Sequence, residues 1–446
     1  MKLRNLFLST LVVCAFSACT KDDDGIQLPV EPVDASISFA TTTLTQTKAG
    51  TDTEGKENKN KDTFVNELYA FVFKVPKGEA NEGKMTLVGS GKATSADGKS
   101  VTIINHIIIK VTPNPKGEEL ASEDEFKAVL VANPGSNFST SYASLADLQD
   151  ATLTNSIEKY PFKDSPYLPM VSKVIDVTDI VPIIKGEETI HNENWISSDK
   201  KTVTVQLEEG KEITKPTSAG TIELVRLVAR VQVEQIISKI HEAYEGSSFE
   251  LTNLSLVNVR PLATMVDGKG DGTYEYVKGF QSENYTEYDR WIYPAFKGEI
   301  ITDSYKKALS KEYKDVIFSN EMDFWAPNDD NKFYSYAFPN YSVPDQNLDL
   351  ISEQPALYNT ALLITGVFKR NAADNIGTVK NFRVILQDKT LQEPIQVVRN
   401  NVYKLVITLT GEGSSNEDKI ELNAHVSAEI TVNPWKVVYQ EEEDAN

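Results

Sequence analysis

The sequence predicts a mainly all-β protein, two tandem antiparallel β-sandwich domains with a few short helices. Three observations carry that expectation. Short apolar or alternating runs recur along the chain, among them 68–75, 101–111, 125–132, 203–207, 222–235, 249–259, 362–369, 379–387 and 403–410. Turn-forming clusters such as Asn133-Pro134-Gly135 and the stretch from Lys215 to Gly220 punctuate them. Helical spacing is confined to two places, 142–157, where Leu145, Leu148 and Leu153 recur, and a segment around 305–316. A half-buried strand needs a second layer to cover its apolar face, and short strands with frequent turns meet that need as sandwiches.

Taken in order, the chain opens as an export signal. Lys2 and Arg4 precede the apolar stretch Leu6 to Phe16, followed by the small residues Ser17 and Ala18, then Cys19 and an acidic run from Asp22. A charged start, a short apolar centre and a small-residue cleavage point form a secretory signal too short to span a bilayer. Phe16-Ser17-Ala18-Cys19 resembles a bacterial lipobox, which implies lipid on Cys19 and a signal peptide of residues 1–18. From Thr20 to Pro32 the chain reads as a tether. Ala35, Ile37 and Phe39 then alternate with Ser36, Ser38 and Ala40 and lead to Leu44, the pattern of one half-buried strand. The polar stretch from Thr45 to Lys59 cannot bury itself and reads as an exposed loop open to proteases.

The body is divided at the Lys215–Gly220 stretch into an N-terminal sandwich over 49–219 and a C-terminal one over 220–446. The aromatic-rich segment 267–343 reads as long loops. At the C-terminus Val426, Ala428, Ile430 and Val432 alternate with polar residues, and after Pro434 the apolar parity shifts to Trp435, Val437 and Tyr439. Proline cannot donate to a β-ladder, so this is an edge-type strand kinked at Pro434. On its own residues the strand fits two roles equally. It closes its own sandwich, or it is offered to another molecule's sheet by strand addition.

Composition narrows the function. Lysine plus arginine number 45 against 65 acidic residues, a net charge of −20, which argues against nucleic acid and against attraction to an anionic membrane. The only cysteines are Cys14 and Cys19, so the exported body holds together by core burial without disulfides. Gly78 to Lys84 has phosphate-loop spacing, but Met85 stands where a magnesium-holding hydroxyl belongs, so a hairpin turn is expected. Asp267 to Gly272 imitates a calcium loop, with Lys269 and Lys278 at ligand positions, and reads as a glycine-rich turn. His106, His191, His241 and His425 lack metal-binding spacing, and no nucleophile elbow is present. The expectation is a protein without enzymatic activity, cofactor or metal.

Five features together resemble the Bacteroidales fimbrillins, most of all the short-fimbria (Mfa-type) major subunits. They are the lipobox, the early strand followed by Thr47-Lys48-Ala49-Gly50, the run from Glu223 to Val231, Val398-Arg399-Asn400-Asn401-Val402-Tyr403, and Ile430-Thr431-Val432-Asn433-Pro434-Trp435. The resemblance implies transthyretin-like sandwiches and export to the outer membrane as a lipoprotein. It further implies a cut by a trypsin-like protease that removes the lipidated segment 19–48 with its strand, here at Lys48–Ala49. The family has arginine before the cut; a protease selective for guanidinium need not accept lysine, and Lys56 and Lys61 are further candidates. Release of Ile37, Phe39 and Leu44 would open a groove. A neighbour's C-terminal strand, about 427–440, would fill it with Ile430, Val432, Trp435, Val437 and Tyr439. The contact is head-to-tail and propagates into a fimbria supporting adhesion, its partners being further copies and accessory subunits. Arg226, Arg230 and the Arg399–Asn401 turn are expected to be structural. The other readings are a tip or accessory adhesin, or an uncleaved lipid-retained anchor.

Overall fold

The structure is a computed structural model that describes residues 31–43, 62–78, 82–96, 98–114, 121–135, 138–154, 167–183, 190–199, 202–208, 213–240, 244–257, 259–260, 262–265, 309–319, 323–328, 330–340, 360–386, 397–415 and 426–434. The signal sequence, Cys19, the segment 44–61, Asp267–Gly272 and everything after Pro434 lie outside these residues.

In the first sandwich the strands are β1 (Val33–Thr43), β2 (Glu67–Lys74), β3 (Thr86–Thr94), β4 (Ile103–Val111), β5 (Phe126–Ala132), β6 (Thr152–Thr154), β7 (Met170–Ser172), β8 (Ile175–Val177), β9 (Ile190–Ile196), β10 (Thr202–Glu208) and β11 (Ile222–Arg226). One layer runs β10-β9-β1-β4; the other runs β11-β7-β5-β2-β3, with β8 beside β5. Their core is built from Ile37, Phe39, Leu68, Ile107, Phe126, Leu130 and Leu224 among others. β2 reads as an unbroken apolar run because both of its faces are covered. Tyr69, Phe71 and Phe73 point away from that core, into a second cluster with Met85, Leu145 and Leu148, where Tyr142 meets Phe71 edge to face at 5.6 Å.

The second sandwich comprises β12 (Ala229–Ser238), β13 (Ser248–Val257), β14 (Leu262–Thr264), β15 (Ser310–Phe318), β16 (Phe324–Trp325), β17 (Tyr334–Ala337), β18 (Ala361–Lys369), β19 (Thr378–Ile385), β20 (Asn401–Leu409) and β21 (Val426–Pro434). A sheet ordered β16-β12-β20-β21, with β17 also on β12, faces one ordered β15-β13-β18-β19. Phe249, Leu251, Phe318, Phe382, Tyr403 and Leu405 lie in the core between them. A short antiparallel pair, β6 with β14, ties the first half of the chain to the second.

The all-β expectation holds, with five differences in detail. The sheets are not purely antiparallel, since β1 runs parallel to β9 and β11, and β12 parallel to β20. The helix expected over 142–157 is a single short one, α1 (Leu145–Asp150), capped reciprocally by Ser144 and Asp147. Beyond it Ala151 is extended and Thr152–Thr154 join a sheet instead. The segment expected to be helical around 305–316 is the strand β15, where a bulge against β13, with Asp315 at φ 60°, spaces the buried Leu309, Tyr313 and Phe318 four and five residues apart and so imitates a helical period. The passage between the sandwiches falls at Leu227–Val228, one strand beyond Lys215–Gly220, because Ile222 and Leu224 still pack in the first core. Part of the aromatic-rich segment expected as loops supplies β15, β16 and β17.

Gly366 in β18 tests the packing of the second sandwich. A Cβ there would stand 2.3 Å from a Phe249 ring carbon and 2.4 Å from the Glu250 carbonyl oxygen. Gly366→Ala is expected to lower stability by about 1–3 kcal/mol, read as a lower urea midpoint with unchanged slope.

Candidate assembly site

β1 enters the fold as an interior strand. From Val33 to Ala40 it pairs antiparallel with β4 on one edge, and from Ser36 to Phe39 it pairs parallel with β9 on the other. Its last residues, Thr41–Thr43, cross to the opposite layer and pair with β11. Alternation sends Ala35, Ile37 and Phe39 into the core, all at 0% exposure. The polar face is buried as well: Ser36 and Ser38 are at 0% and Ala40 at 2%. The sequence marks this strand as half-buried; the structure buries it on both faces.

A polar patch lies under that second face. Ser38 Oγ donates to Glu193 Oε1 at 2.5 Å, and Glu193 is fully buried. A bulge in β4 turns His106 to φ 61°, so that its backbone N–H donates to Ser38 Oγ at 3.3 Å. The His106 ring brings Nδ1 to 3.2 Å from Ser36 Oγ and 3.8 Å from Glu193 Oε2. Asn194 fixes the strand from the side. Its amide nitrogen donates to the carbonyls of Ser36 and Val181, each at 2.9 Å, and its oxygen accepts from Val181 N–H and Thr204 Oγ1. Sequence reasoning singled out neither Glu193 nor Asn194. Their only signal was polar residues at every position of Asn192-Glu193-Asn194, just before Trp195 and Ile196.

After the segment 44–61, which holds Leu44, Lys48, Ala49, Lys56 and Lys61, the chain is pinned at Asp62. Its carboxylate accepts from Arg230 Nη1 at 3.3 Å and from the Tyr336 hydroxyl, and its carbonyl accepts from Arg226 Nε at 2.7 Å. Arg226 also reaches the Asn400 side chain, and Arg230 lies over the Tyr334 ring at 5.1 Å. Asp62, Arg226 and Arg230 are all buried. Burial, and then the Asp62 carboxylate, push the Tyr336 phenol well above its ordinary range. Arg399 Nη1 donates to the Met265 carbonyl at 3.0 Å, and Asn400 takes the left-handed turn at φ 59°. The arginines and the Arg399–Asn401 turn are therefore structural, and two motifs far apart in sequence meet around one aspartate. Nothing local to Asp62 announces that role.

At the far end, β21 lies antiparallel on β20, from Asn401 opposite Pro434 to Leu409 opposite Val426, and it is the outermost strand of its sheet. Val426, Ala428, Ile430 and Val432 are half-buried against the second core, while Ser427, Glu429 and Thr431 are exposed. Trp435, Val437 and Tyr439 lie outside the described residues. In the single chain this strand thus closes its own sandwich and keeps one edge unpaired among the described residues. Also among the described residues, no three histidine, cysteine or acidic side chains are grouped to hold a metal ion.

Residues 35–226 match the family model of the major fimbrial subunit protein FimA. That span begins within β1 and ends at the last residue of β11, where the chain leaves the first sandwich. Over that span the N-terminal sandwich is similar to this fimbrial subunit family. Solved structures extend the likeness of fold to the whole chain. A FimA fimbrilin from Porphyromonas gingivalis W83 is 17% identical with a TM-score of 0.54, covering 92% of this chain and 99% of that one. A candidate cell adhesion protein from Parabacteroides distasonis ATCC 8503 is 16% identical with a TM-score of 0.53, covering 91% and 98%. No curated protein matches the sequence. The FimA family model thus covers β1 as part of the sandwich it completes.

Asp62→Ala would remove the carboxylate that the buried Arg230 guanidinium and the Tyr336 hydroxyl share, while the backbone carbonyl that Arg226 holds would remain. It is expected to cost about 3–5 kcal/mol in chemical denaturation, whereas Asp34→Ala, which breaks only the exposed pair with Lys110, costs less than about 1 kcal/mol.

Proposed function

We propose that this chain is a structural subunit of a surface fimbria of the short-fimbria (Mfa) type, exported as a lipoprotein through Cys19 and activated by removal of β1. A trypsin-like protease cuts in the polar segment after β1, at Lys48–Ala49, and residues up to Lys48 leave with the lipid. The subunit then passes from the outer membrane into an extracellular fimbrium. The observation that carries this reading is an interior strand joined to the body only through a polar segment. The remaining body is anchored independently at Asp62, so a cut upstream of Asp62 leaves that anchor in place.

Losing β1 uncovers apolar side chains on β4 and unpaired backbone on β4, β9 and β11. Such an edge recruits another strand. The strand offered is the C-terminal segment of a neighbour, about 427–440. β21 supports this role: as an edge strand it gives up only one ladder when it leaves β20, and its apolar face is only half-buried where it now rests. With Ile430, Val432, Trp435, Val437 and Tyr439 as anchors, burial contributes roughly 7–15 kcal/mol before ordering costs. The joint uses different surfaces on the two molecules, so it repeats head to tail. A subunit that keeps β1 in place would instead be a lipid-retained anchor, and processing separates the two readings.

Purified precursor treated with trypsin is expected to acquire a new N-terminus between Ala49 and Asp62 and to form ladders on unboiled gels. Deleting residues 427–446 is expected to abolish the ladder while the trimmed chain remains folded. A trimmed, full-tailed chain that stays monomeric at high concentration would overturn the proposal.

A further inference from the structure

We infer that Glu193 sets the register in which an incoming strand docks, by requiring a hydroxyl at the place Ser38 occupies; this rests on strand exchange at the β1 seat. The seat makes two demands. Its inner face takes a small residue, then two large apolar ones, where Ala35, Ile37 and Phe39 now lie. Its outer face presents the buried Glu193 carboxylate, which takes a hydrogen bond from Ser38 Oγ, and beside it the His106 ring against Ser36.

β21 repeats this pattern in one register. Ala428, Ile430 and Val432 fall on Ala35, Ile37 and Phe39, which sets Thr431 on Ser38 and Glu429 on Ser36. The Thr431 hydroxyl then replaces the Ser38 donor to Glu193. The Glu429 carboxylate reaches the His106 ring, whose side chain is 53% exposed and opens to solvent. Sliding β21 two residues one way puts Glu429 on Ser38, where two carboxylates would face each other with no hydroxyl to link them and only the His106 N–H to share. Sliding it the other way puts Pro434 on Phe39, without an N–H for the ladder, and Ile430 on Ala35. A shift by one residue sends every apolar side chain to the wrong face. One register survives, and Glu193 decides between it and its nearest competitor.

The processed chain contains no cysteine, so paired substitutions report register directly. Asp34 now faces Lys110, and Ser36 faces Ile108. In the inferred register Ser427 takes Asp34's place opposite Lys110; in the competing one it takes Ser36's place opposite Ile108. Trimmed subunits carrying Ser427→Cys are mixed with trimmed subunits carrying Lys110→Cys or Ile108→Cys, allowed to assemble, and oxidised. Disulfide dimers are expected to favour Lys110→Cys over Ile108→Cys by about tenfold. Adding Glu193→Gln to the acceptor, which supplies a donor toward Glu429, is expected to shrink that preference severalfold with ladders preserved. Ladders without the preference, or a preference unchanged by Glu193→Gln, overturn the register inference and leave strand exchange standing. The absence of any ladder overturns both.

Discussion

The structure depends on one covalent accident of chain order: a strand in the middle of the first sandwich comes first in the sequence. β1 has a partner on each edge and no exposed face, so the sandwich is closed only while it is present. An interior strand contributes two ladders and a row of core side chains, far more than an edge strand does. Its removal is therefore a large local loss. Under the proposed exchange, a strand that replaced it would regain a correspondingly large energy, concentrated at the β1 seat.

Such a loss would be ruinous if the rest of the chain hung from β1. The buried group at Asp62 prevents that. Two arginines, a tyrosine and a left-handed asparagine turn converge on the first described residue after the polar segment, and they draw on β11, β12, β17 and the turn before β20. Buried charges of this kind add little net stability compared with an apolar alternative, but they are costly to break and specific in geometry. They fix the position of Asp62 against both sandwiches. The same cluster joins the two sandwiches, since Arg226 ends the first and Arg230 opens the second.

The polar patch behind β1 has a comparable logic. An all-apolar seat would accept any alternating strand at several offsets, because side chains repeat every second residue. A buried carboxylate held by a serine hydroxyl breaks that degeneracy, at a cost in solvation that the hydrogen bond largely offsets. Ser36 and Ser38 would otherwise be puzzling choices for a strand with both faces covered.

Much of this was legible in the amino-acid sequence, and for local reasons. Period-two alternation marked Ile37 and Phe39 as one face of a strand and Val426 to Val432 as another, and turn residues separated the remaining runs. The motif order pointed to fimbrial subunits. Local pattern failed where a bulge altered the period, as in β15, and where a capped helix stopped after six residues at Asp150. Tertiary structure alone decided that β1 is interior, that Ser36 and Ser38 are buried, and that Asp62, Arg226, Arg230 and Tyr336 meet. Those facts depend on contacts between residues many tens of positions apart. No local periodicity encodes which strands become neighbours; that is settled only when the sheets close and water leaves the space between them.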